Sequence, residues 1–317
     1  MTGRSAYRFA NGVVVSPWSL PPLLPYDVST AERRSLYSIE VEESGDPAQF
    51  PFATEGPPHV VWQAPDGRTT ISRGCAGFAL EYMARARFVV HADANGSSVL
   101  AEFHDAWETC QHLLLDQVLP RVLFQMGETV LHSAAVEIDG RAALFLGATG
   151  YGKSTLTRAF ADAGCRILSD DAIVLTLADG LCTAQGTYPS LRLVTQDPTR
   201  AAFGTKERID LDPSHCVVGK VPLAAVFRLE PPDPVQMHVT VTPLTERETC
   251  MALLATAFML DPTDHARTAR LMQTCAPIAS MTPGFSLAYP RVRDALPHVR
   301  DAVRAALAQP GLPPPTE

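Results

Sequence analysis

A short glycine-rich segment limits what this chain can fold into more than any other feature. Residues 147–154 have the sequence GATGYGKS, which fits the pattern G-x-x-x-x-G-K-[ST]. The glycines let the backbone curl so that successive N–H groups face one anion, and a helix that begins near Ser154 adds a partial positive charge. Apolar residues 142–146 precede the segment, and a helical pattern of apolar residues follows at 156–163. The segment therefore predicts a strand, a phosphate-binding loop and a helix in succession.

The match is specific because lysine is rare in this chain. The 317 residues include lysine at positions 153, 206 and 220 only, among 26 basic residues. A chance match anywhere in a chain of this composition has a probability of about 0.002. In such a loop the lysine reaches the β- and γ-phosphates of a nucleotide, and the hydroxyl group after it can ligate Mg²⁺. Lys153 and Ser154 are the residues expected in these roles.

The chain lengths after the loop bring two acidic residues next to it. A helix over residues 155–163 would be about 14 Å long, and an extended run over 165–169 would be about 16 Å long. Since these lengths nearly match, a crossover returns the chain to the level of the loop at Asp170 and Asp171. Carboxylates there can hold Mg²⁺ or accept a proton from a hydroxyl group. A pair of solvated aspartates in a turn is the alternative.

Composition and charge exclude several classes of protein. Apolar residues make up 46% of the chain and charged residues 19%, which excludes a disordered chain. A net charge of −8 without a basic run argues against binding to nucleic acid or to an anionic membrane. The sequence has neither the apolar core of a signal peptide nor a run long enough to span a membrane. Seven scattered cysteines without a CxxC pair favour reduced thiols, and the expectation is a cytoplasmic protein.

The hydrophobic pattern predicts two domains. Residues 1–104 contain two hairpin signals, Asp66-Gly67 and Asn95-Gly96, and predict a small β-rich domain with a role in substrate recognition. Residues 105–308 would form the domain that carries the glycine-rich segment, beginning with a helix over 106–125 that Pro120 kinks. Residues 309–317, with four prolines, would form a flexible tail.

Further elements are predicted in the second domain. Strands over 129–138 and 141–146 would flank the turn Asp139-Gly140, and others are expected at 191–194, 222–229 and 238–241. Thr245, with Glu248 three residues later, forms a capping box that begins a helix over 245–254. An amphipathic helix is predicted over 294–308.

Residues 123–175 carry a resemblance to a known family. They include Leu131-His132-Ser133 and the run LFLGATGYGKSTLTRAFADAGCRILSDDAIVL at 144–175. This resembles the C-terminal catalytic domain of HPr kinase/phosphorylase, and more closely the related serine kinases, some of which sit beside ribosomal peptide clusters. The resemblance implies an α/β fold with a mixed sheet, namely a P-loop kinase domain of the HPr kinase or phosphoenolpyruvate carboxykinase type, beside the small β-rich N-terminal domain.

The resemblance also implies site residues and ligands, with ATP and Mg²⁺ bound. Catalytic residues would be Asp170, Asp171, Lys153 and His132, and metal ligands would be Ser154 and Asp171. One aspartate would be the base for the acceptor hydroxyl and the other a metal ligand, and the sequence leaves open which is which. The nucleotide-binding residues would be Gly147, Ala148, Thr149, Gly150, Tyr151, Gly152, Lys153, Ser154, Thr155, Lys206 and Arg208.

For several of these residues, a structural role is the alternative to a role in the active site. His132 lies in an apolar stretch, where a core histidine is the alternative to an active-site histidine. Arg192 lies in the apolar stretch LRLV, where its guanidinium group would need an anionic partner, either a phosphate or a carboxylate in an internal ion pair. Lys206 and Arg208 would either stabilise a transferred phosphoryl group or be solvated.

These features predict an ATP-dependent kinase that transfers the γ-phosphoryl group to a hydroxyl group, a serine of a peptide or protein such as a ribosomal precursor peptide. The glycine-rich second segment that serves dephosphorylation in the family has no counterpart here, so the reverse activity is not implied. Two alternatives remain open: a kinase of a small hydroxylated molecule, and an ATP-binding regulator without catalysis. Relatives in the family often form hexamers, which implies a homo-oligomer.

Overall fold

The chain forms two compact units. The computed structural model describes residues 4–23, 38–43, 59–74, 77–93, 96–194, 206–209 and 211–308. Among these, the first unit comprises the residues up to Glu128 together with Phe258–Thr268, and the second comprises the remaining ones. The predicted domain limits differ from these units, because the helical residues after 104 belong to the first unit and the chain enters that unit a second time. The predicted tail, residues 309–317, lies outside the described residues.

The first unit is built on an eight-stranded sheet. Its strands are β1 (Ser5–Phe9), β2 (Gly12–Ser16), β3 (Ser38–Glu43), β4 (His59–Gln63), β5 (Thr69–Gly74), β6 (Gly77–Tyr82), β7 (Ala86–Asp93) and β8 (Gly96–Phe103). In the sheet they follow the order β1-β2-β3-β8-β7-β6-β5-β4. The antiparallel pairing of β4 with β5 and of β7 with β8 confirms both predicted hairpins.

The helical segment of the first unit is not one regular helix. Helix α1 (Trp107–Leu113) and helix α2 (Leu119–Gln125) are joined by a π-helical turn at Leu114–Val118. Pro120 lies in the first turn of α2, directly after this wider turn. The irregularity predicted at Pro120 therefore lies in the wider turn just before it.

The second unit contains a nine-stranded mixed sheet and a separate two-stranded one. The strands are β9 (Thr129–Leu131), β10 (Ser133–Ile138), β11 (Arg141–Leu146), β12 (Arg166–Ser169), β13 (Ile173–Ala178), β14 (Leu181–Gly186), β15 (Arg192–Val194), β16 (Lys206–Arg208), β17 (Val221–Leu229), β18 (Thr240–Pro243) and β19 (Gly284–Ala288). The larger sheet has the order β12-β10-β11-β17-β14-β13-β9, with β19 pairing with both β17 and β18, and β15 pairs with β16. The predicted α/β class with a mixed sheet is confirmed.

Four strands of this sheet end at the same edge. β11 pairs in parallel with β17, and β17 pairs in parallel with β19. β10 is antiparallel to both β11 and β12, so β11 and β12 also run in one direction. The carboxyl ends of β11, β12, β17 and β19 therefore share one edge, and in open α/β sheets that is where ligands bind.

Four further helices follow along the chain, namely α3 (Lys153–Ala161), α4 (Glu246–Ala255), α5 (His265–Met281) and α6 (Leu296–Leu307). The capping box before α4 is confirmed, since Thr245 Oγ1 accepts from the Glu248 N–H and the Glu248 carboxylate accepts from the Thr245 N–H. No helix is predicted from the sequence at α5, which contains a helix-breaking signal, Pro277, within its length. Among the described ranges, no helix combines the length and the apolar character needed to cross a lipid bilayer.

Four phenylalanines hold the ends of the glycine-rich segment in place. Phe145 of β11 stacks on Phe160 of α3 with ring centroids 5.7 Å apart. Phe145 also lies 5.7 Å from Phe227 of β17, which stacks in turn on Phe285 of β19 at 5.4 Å. All four side chains are buried. The strand before the loop and the helix after it are thus packed onto the parallel strands.

We expect the thiols of the described residues to differ widely in reactivity. Five of the six cysteines there are buried, Cys216 being the exception, and none forms a disulfide. Burial raises the pKa of Cys182 and of Cys275 to about 12, so almost no thiolate forms at either residue near neutral pH. Both pKa values lie above the ordinary thiol value of 9.0, so the folded protein keeps protons that the unfolded chain loses above pH 9. The free energy of unfolding therefore falls as the pH rises from 9 towards 12.

Iodoacetamide labelling followed by mass spectrometry tests this expectation. Among the cysteines of the described ranges, Cys216 should react first in the folded protein, and Cys182 and Cys275 should react only after unfolding in urea. Labelling of Cys182 in the folded protein at the rate of Cys216 would contradict the burial described above.

Candidate active site

The glycine-rich loop, residues 147–152, joins β11 to α3 and confirms the predicted succession of strand, loop and helix. The Nζ atom of Lys153 lies 2.6 Å from the carbonyl oxygen of Gly147 and 3.5 Å from that of Ala148. The N–H of Tyr151 donates to the Ala148 carbonyl across 3.1 Å, which closes the loop into a turn. Residues 148–150 are exposed, whereas Lys153 is 7% exposed. The loop thus presents its backbone to solvent, with the ammonium group folded against its first two residues.

Position 152 of this loop requires glycine. Gly152 has a φ of +92°, in the left-handed region that favours glycine. A Cβ atom at this position would lie 2.5 Å from Oη of Tyr289 and 3.4 Å from Nη1 of Arg291. Tyr289 directly follows β19 and is 2% exposed. The loop therefore packs, where it enters α3, against side chains from the carboxyl end of β19.

Arg291 is held beside the loop by two contacts. Its guanidinium carbon lies 3.7 Å from the centroid of the Tyr289 ring, and its Nη2 donates to the carbonyl oxygen of Glu230 across 2.7 Å. Burial raises the pKa of the Tyr289 phenol, and the cation of Arg291 opposes that rise. Sequence reasoning assigned no role to these residues, and their position after a parallel strand is the signal that points to them.

The acid pair directly follows β12, at the edge where the loop lies. Asp170 is 1% exposed and Asp171 is 7% exposed, so the alternative of solvated turn aspartates is wrong. Oδ2 of Asp170 accepts from the backbone N–H of Arg192 across 3.2 Å. The Asp170 N–H donates to Oγ of Ser190 across 3.5 Å, and this hydroxyl lies 3.1 Å from the hydroxyl of Ser169. The Arg192 N–H thus orients the buried carboxylate, and the Ser190 hydroxyl contacts the backbone of the same residue.

His132 lies between the loop and the acid pair. Its Nε2 is 3.3 Å from Nζ of Lys153, and its Nδ1 is 3.1 Å from the carbonyl oxygen of Asp171. A carbonyl oxygen can only accept, so Nδ1 must carry the hydrogen, and an ammonium group can only donate, so Nε2 must accept. These contacts require a neutral imidazole with its hydrogen on Nδ1. The ring therefore links the cation of the loop to the backbone of the acid pair.

The position of His132 depends on a break between two strands. The sequence predicts one strand over 129–138, but β9 ends at Leu131 and β10 begins at Ser133. β9 pairs with β13, whereas β10 pairs with β11 and β12. At the break, the N–H of His132 donates to the carbonyl oxygen of Thr256 across 2.6 Å. Because the chain changes partners here, the half-buried imidazole faces the loop instead of serving as a core histidine.

The other predicted site residues lie around this centre. Ser154 and Thr155 are in the first turn of α3, the former half-buried and the latter exposed. Lys206 and Arg208 lie on β16, whose backbone pairs with β15, and the roles of their side chains stay predictions. Arg192 is 5% exposed.

Ser190 and the backbone N–H of Arg192 contact Asp170, and the sequence did not predict these contacts. Both act on Asp170, twenty or more positions earlier in the chain. Nothing in the sequence around them indicates contact with the acid pair. Whether the Arg192 guanidinium meets a phosphate stays a prediction.

Comparison with known proteins adds little to this geometry. No protein-family model matches the chain, and no curated protein is significantly similar to it. A solved structure described as the HPr(Ser) kinase/phosphatase from Coxiella burnetii is similar over 56% of this chain and 95% of its own, with 13% sequence identity and a TM-score of 0.33. At that TM-score and identity the similarity carries no argument, so the function has to be inferred from the site itself.

Proposed function

We propose that this protein is an ATP-dependent kinase that transfers the γ-phosphoryl group to a hydroxyl group, the serine hydroxyl of a peptide or protein. The observation that carries the proposal is the pair of contacts of His132, with the ammonium group of Lys153 at 3.3 Å and the carbonyl of Asp171 at 3.1 Å. One imidazole ring separates the cation of the glycine-rich loop from the backbone of the acid pair. A cation for phosphate next to buried carboxylates is what phosphoryl transfer to a hydroxyl group needs.

The glycine-rich loop is suited to hold the phosphates of ATP. Its middle residues expose their backbone, and the N-terminus of the nine-residue helix α3 lies at its end. The ammonium group of Lys153 donates to the neutral carbonyl oxygens of Gly147 and Ala148. A hydrogen bond to a charged acceptor is roughly twice as strong as one to a neutral acceptor. Phosphate oxygens would therefore replace the carbonyls as the partners of this lysine.

The acid pair together with Ser154 fits a magnesium ion. All three side chains offer oxygen atoms, which Mg²⁺ prefers as ligands. Asp170 and Asp171 are 1% and 7% exposed, and a bound cation would offset part of the cost of burying their charges. We assign the metal to Ser154 and Asp171, where bound Mg²⁺ would neutralise charge on the phosphates.

Asp170 is then the residue that accepts the proton. The N–H of Arg192 donates to its carboxylate, and the hydroxyl of Ser190 accepts from its backbone N–H. As the acceptor oxygen forms its bond to the γ-phosphorus, the bond from that phosphorus to ADP breaks and the hydroxyl proton passes to the Asp170 carboxylate. Lys153 and the loop amides stabilise the charge on the transferred group.

The serine acceptor is inferred from the sequence resemblance over residues 123–175. The related serine kinases also suggest that several copies of the chain assemble. In this proposal the β-rich first unit, with its eight-stranded sheet, contributes to recognition of the peptide.

The test is transfer from γ-labelled ATP, with Mg²⁺, to peptides encoded near this gene, followed by mapping of the labelled residue. Lys153→Ala should lower the transfer rate by about 10²–10³-fold, because it removes one cation from the transition state. The matched control is Lys220→Ala, which changes an exposed lysine and should leave the rate unchanged.

The other possible outcomes would each indicate a different function. Labelling of small hydroxylated compounds in place of peptides would identify a small-molecule kinase. Binding of ATP without transfer to any acceptor would indicate a non-catalytic regulator. Equal ATP affinity and equal activity in the wild type and Lys153→Ala would overturn the assignment of the loop.

A further inference from the structure

We propose that Arg291 is a second cationic ligand of the triphosphate, approaching it from the β19 side of the glycine-rich loop. This inference rests on the proposed function, because it needs a nucleotide at that loop. The residue lies far from the loop in sequence, after β19, and neither the motif nor the resemblance over residues 123–175 includes it.

The strand order brings Arg291 to the same edge of the sheet as the glycine-rich loop. β11, β17 and β19 are mutually parallel neighbours, so the loops after them lie side by side at one edge of the sheet. The loop after β11 is the glycine-rich loop, Glu230 follows β17, and Arg291 lies three positions beyond β19. A ligand bound at the first of these loops therefore has the other two loops on the same side.

Arg291 lies beside the loop at Gly152. Nη1 of Arg291 lies 3.4 Å from where a Cβ atom of residue 152 would be. Because glycine has no side chain, the guanidinium group of Arg291 can approach the loop backbone here, beside the hydroxyl of Tyr289. The cation–π contact with Tyr289 and the hydrogen bond to the Glu230 carbonyl fix this position in advance.

Arg291 has unused hydrogen-bonding capacity. Its Nε and Nη1 are withdrawn from solvent, and among the described residues the Tyr289 hydroxyl beside them is the neighbouring group, outside hydrogen-bonding geometry, while no carboxylate reaches them. The carboxylate of Glu230, the residue whose carbonyl oxygen accepts from Arg291, is engaged by Arg228 and by the hydroxyl of Ser286 at 2.6 Å. A charged donor that is buried without an acceptor is costly unless a ligand supplies one. Phosphate oxygens match the forked donors of a guanidinium group.

The experiment measures equilibrium binding of ATP and of inorganic tripolyphosphate, each with Mg²⁺, to the full chain. Arg291→Met should weaken both by about 10–100-fold, as expected for the loss of hydrogen bonds to a charged group. Arg293→Met removes the same charge from an exposed residue two positions later and should leave both affinities unchanged. Tripolyphosphate serves as the probe because it lacks the base and the sugar.

Three results would overturn the proposal while leaving the proposed function intact. These are unchanged affinities in Arg291→Met, weaker binding of ATP but not of tripolyphosphate, and equal losses in Arg291→Met and Arg293→Met. If Arg291→Met does not fold, Arg291→Lys is measured instead, because lysine keeps the charge but lacks the forked donors of the guanidinium group. About tenfold weaker binding of tripolyphosphate to this variant would support the proposal, and unchanged binding would overturn it. Failure of the wild type to bind either probe would contradict the proposed function itself.

Discussion

Asp170→Asn is expected to lower the rate of phosphoryl transfer by about 10²–10⁴-fold, the range that removal of a general base covers. Asparagine has the same shape, and its carbonyl oxygen can still accept the N–H of Arg192 that Oδ2 of Asp170 accepts across 3.2 Å. Its amide cannot take up the hydroxyl proton. The rate should therefore fall while ATP affinity and the midpoint of thermal unfolding change little. Initial rates at saturating ATP, with calorimetric binding beside them, measure this.

Two further variants make the experiment specific. Asp179→Asn makes the same chemical change at an exposed turn residue with a φ of +52°, which asparagine tolerates, so it should keep the wild-type rate. Asp171→Asn should also lose activity, but excess Mg²⁺ should restore part of it, because this variant has lost a metal ligand. If excess Mg²⁺ restores Asp170→Asn instead, the roles of the two aspartates are reversed. Full activity in both variants would refute the kinase mechanism.

Gly186→Ala is expected to destabilise the protein by about 3 kcal/mol or more, at the upper end for overpacking of a core. A Cβ atom at this position would lie 2.0 Å from the carbonyl oxygen of Leu168 and 3.0 Å from Cβ of Ser169. Both contacts belong to β12, which carries the acid pair at its end, and backbone atoms there cannot move aside cheaply. The melting midpoint should fall by roughly 6–12 °C, and the transfer rate should fall with it because Asp170 is displaced.

Gly180→Ala is the matched control for this variant. Gly180 lies just before the other end of the same strand, β14, with a φ of +75° and no atom within 4 Å of an added Cβ. The substitution should cost about 1 kcal/mol from backbone conformation alone, with the transfer rate unchanged. Equal melting midpoints and equal rates for the two variants would show that the close approach of β14 to β12 does not matter.

Local features of the fold were predictable from the sequence. The hairpins around Gly67 and Gly140 and the capping box at Thr245 follow from conformational preferences of a few adjacent residues. The glycine-rich loop between β11 and α3 is local in the same sense. The return of the chain to Asp170 could be predicted because a helix and a strand of similar length leave a crossover few alternatives.

Elements that depend on distant partners were not predictable. Helix α5 forms despite Pro277, since tertiary contacts can outweigh a helix-breaking signal. The apolar run over 129–138 has the pattern of one strand, and its division at His132 depends on which neighbours its two halves pair with. The domain limits differed from the observed units because the sequence gives no sign that Phe258–Thr268 joins the first unit.

The sequence alone determined that a glycine-rich loop with a lysine precedes a helix and that two acids follow within one crossover, since these depend on spacing along a short stretch of chain. Only the tertiary structure decided that His132 lies between Lys153 and Asp171, and that Tyr289 and Arg291 from β19 pack against Gly152. The physical reason is that sheet order and strand pairing bring together residues far apart in the chain, and side-chain preferences over a few positions carry no information about that order.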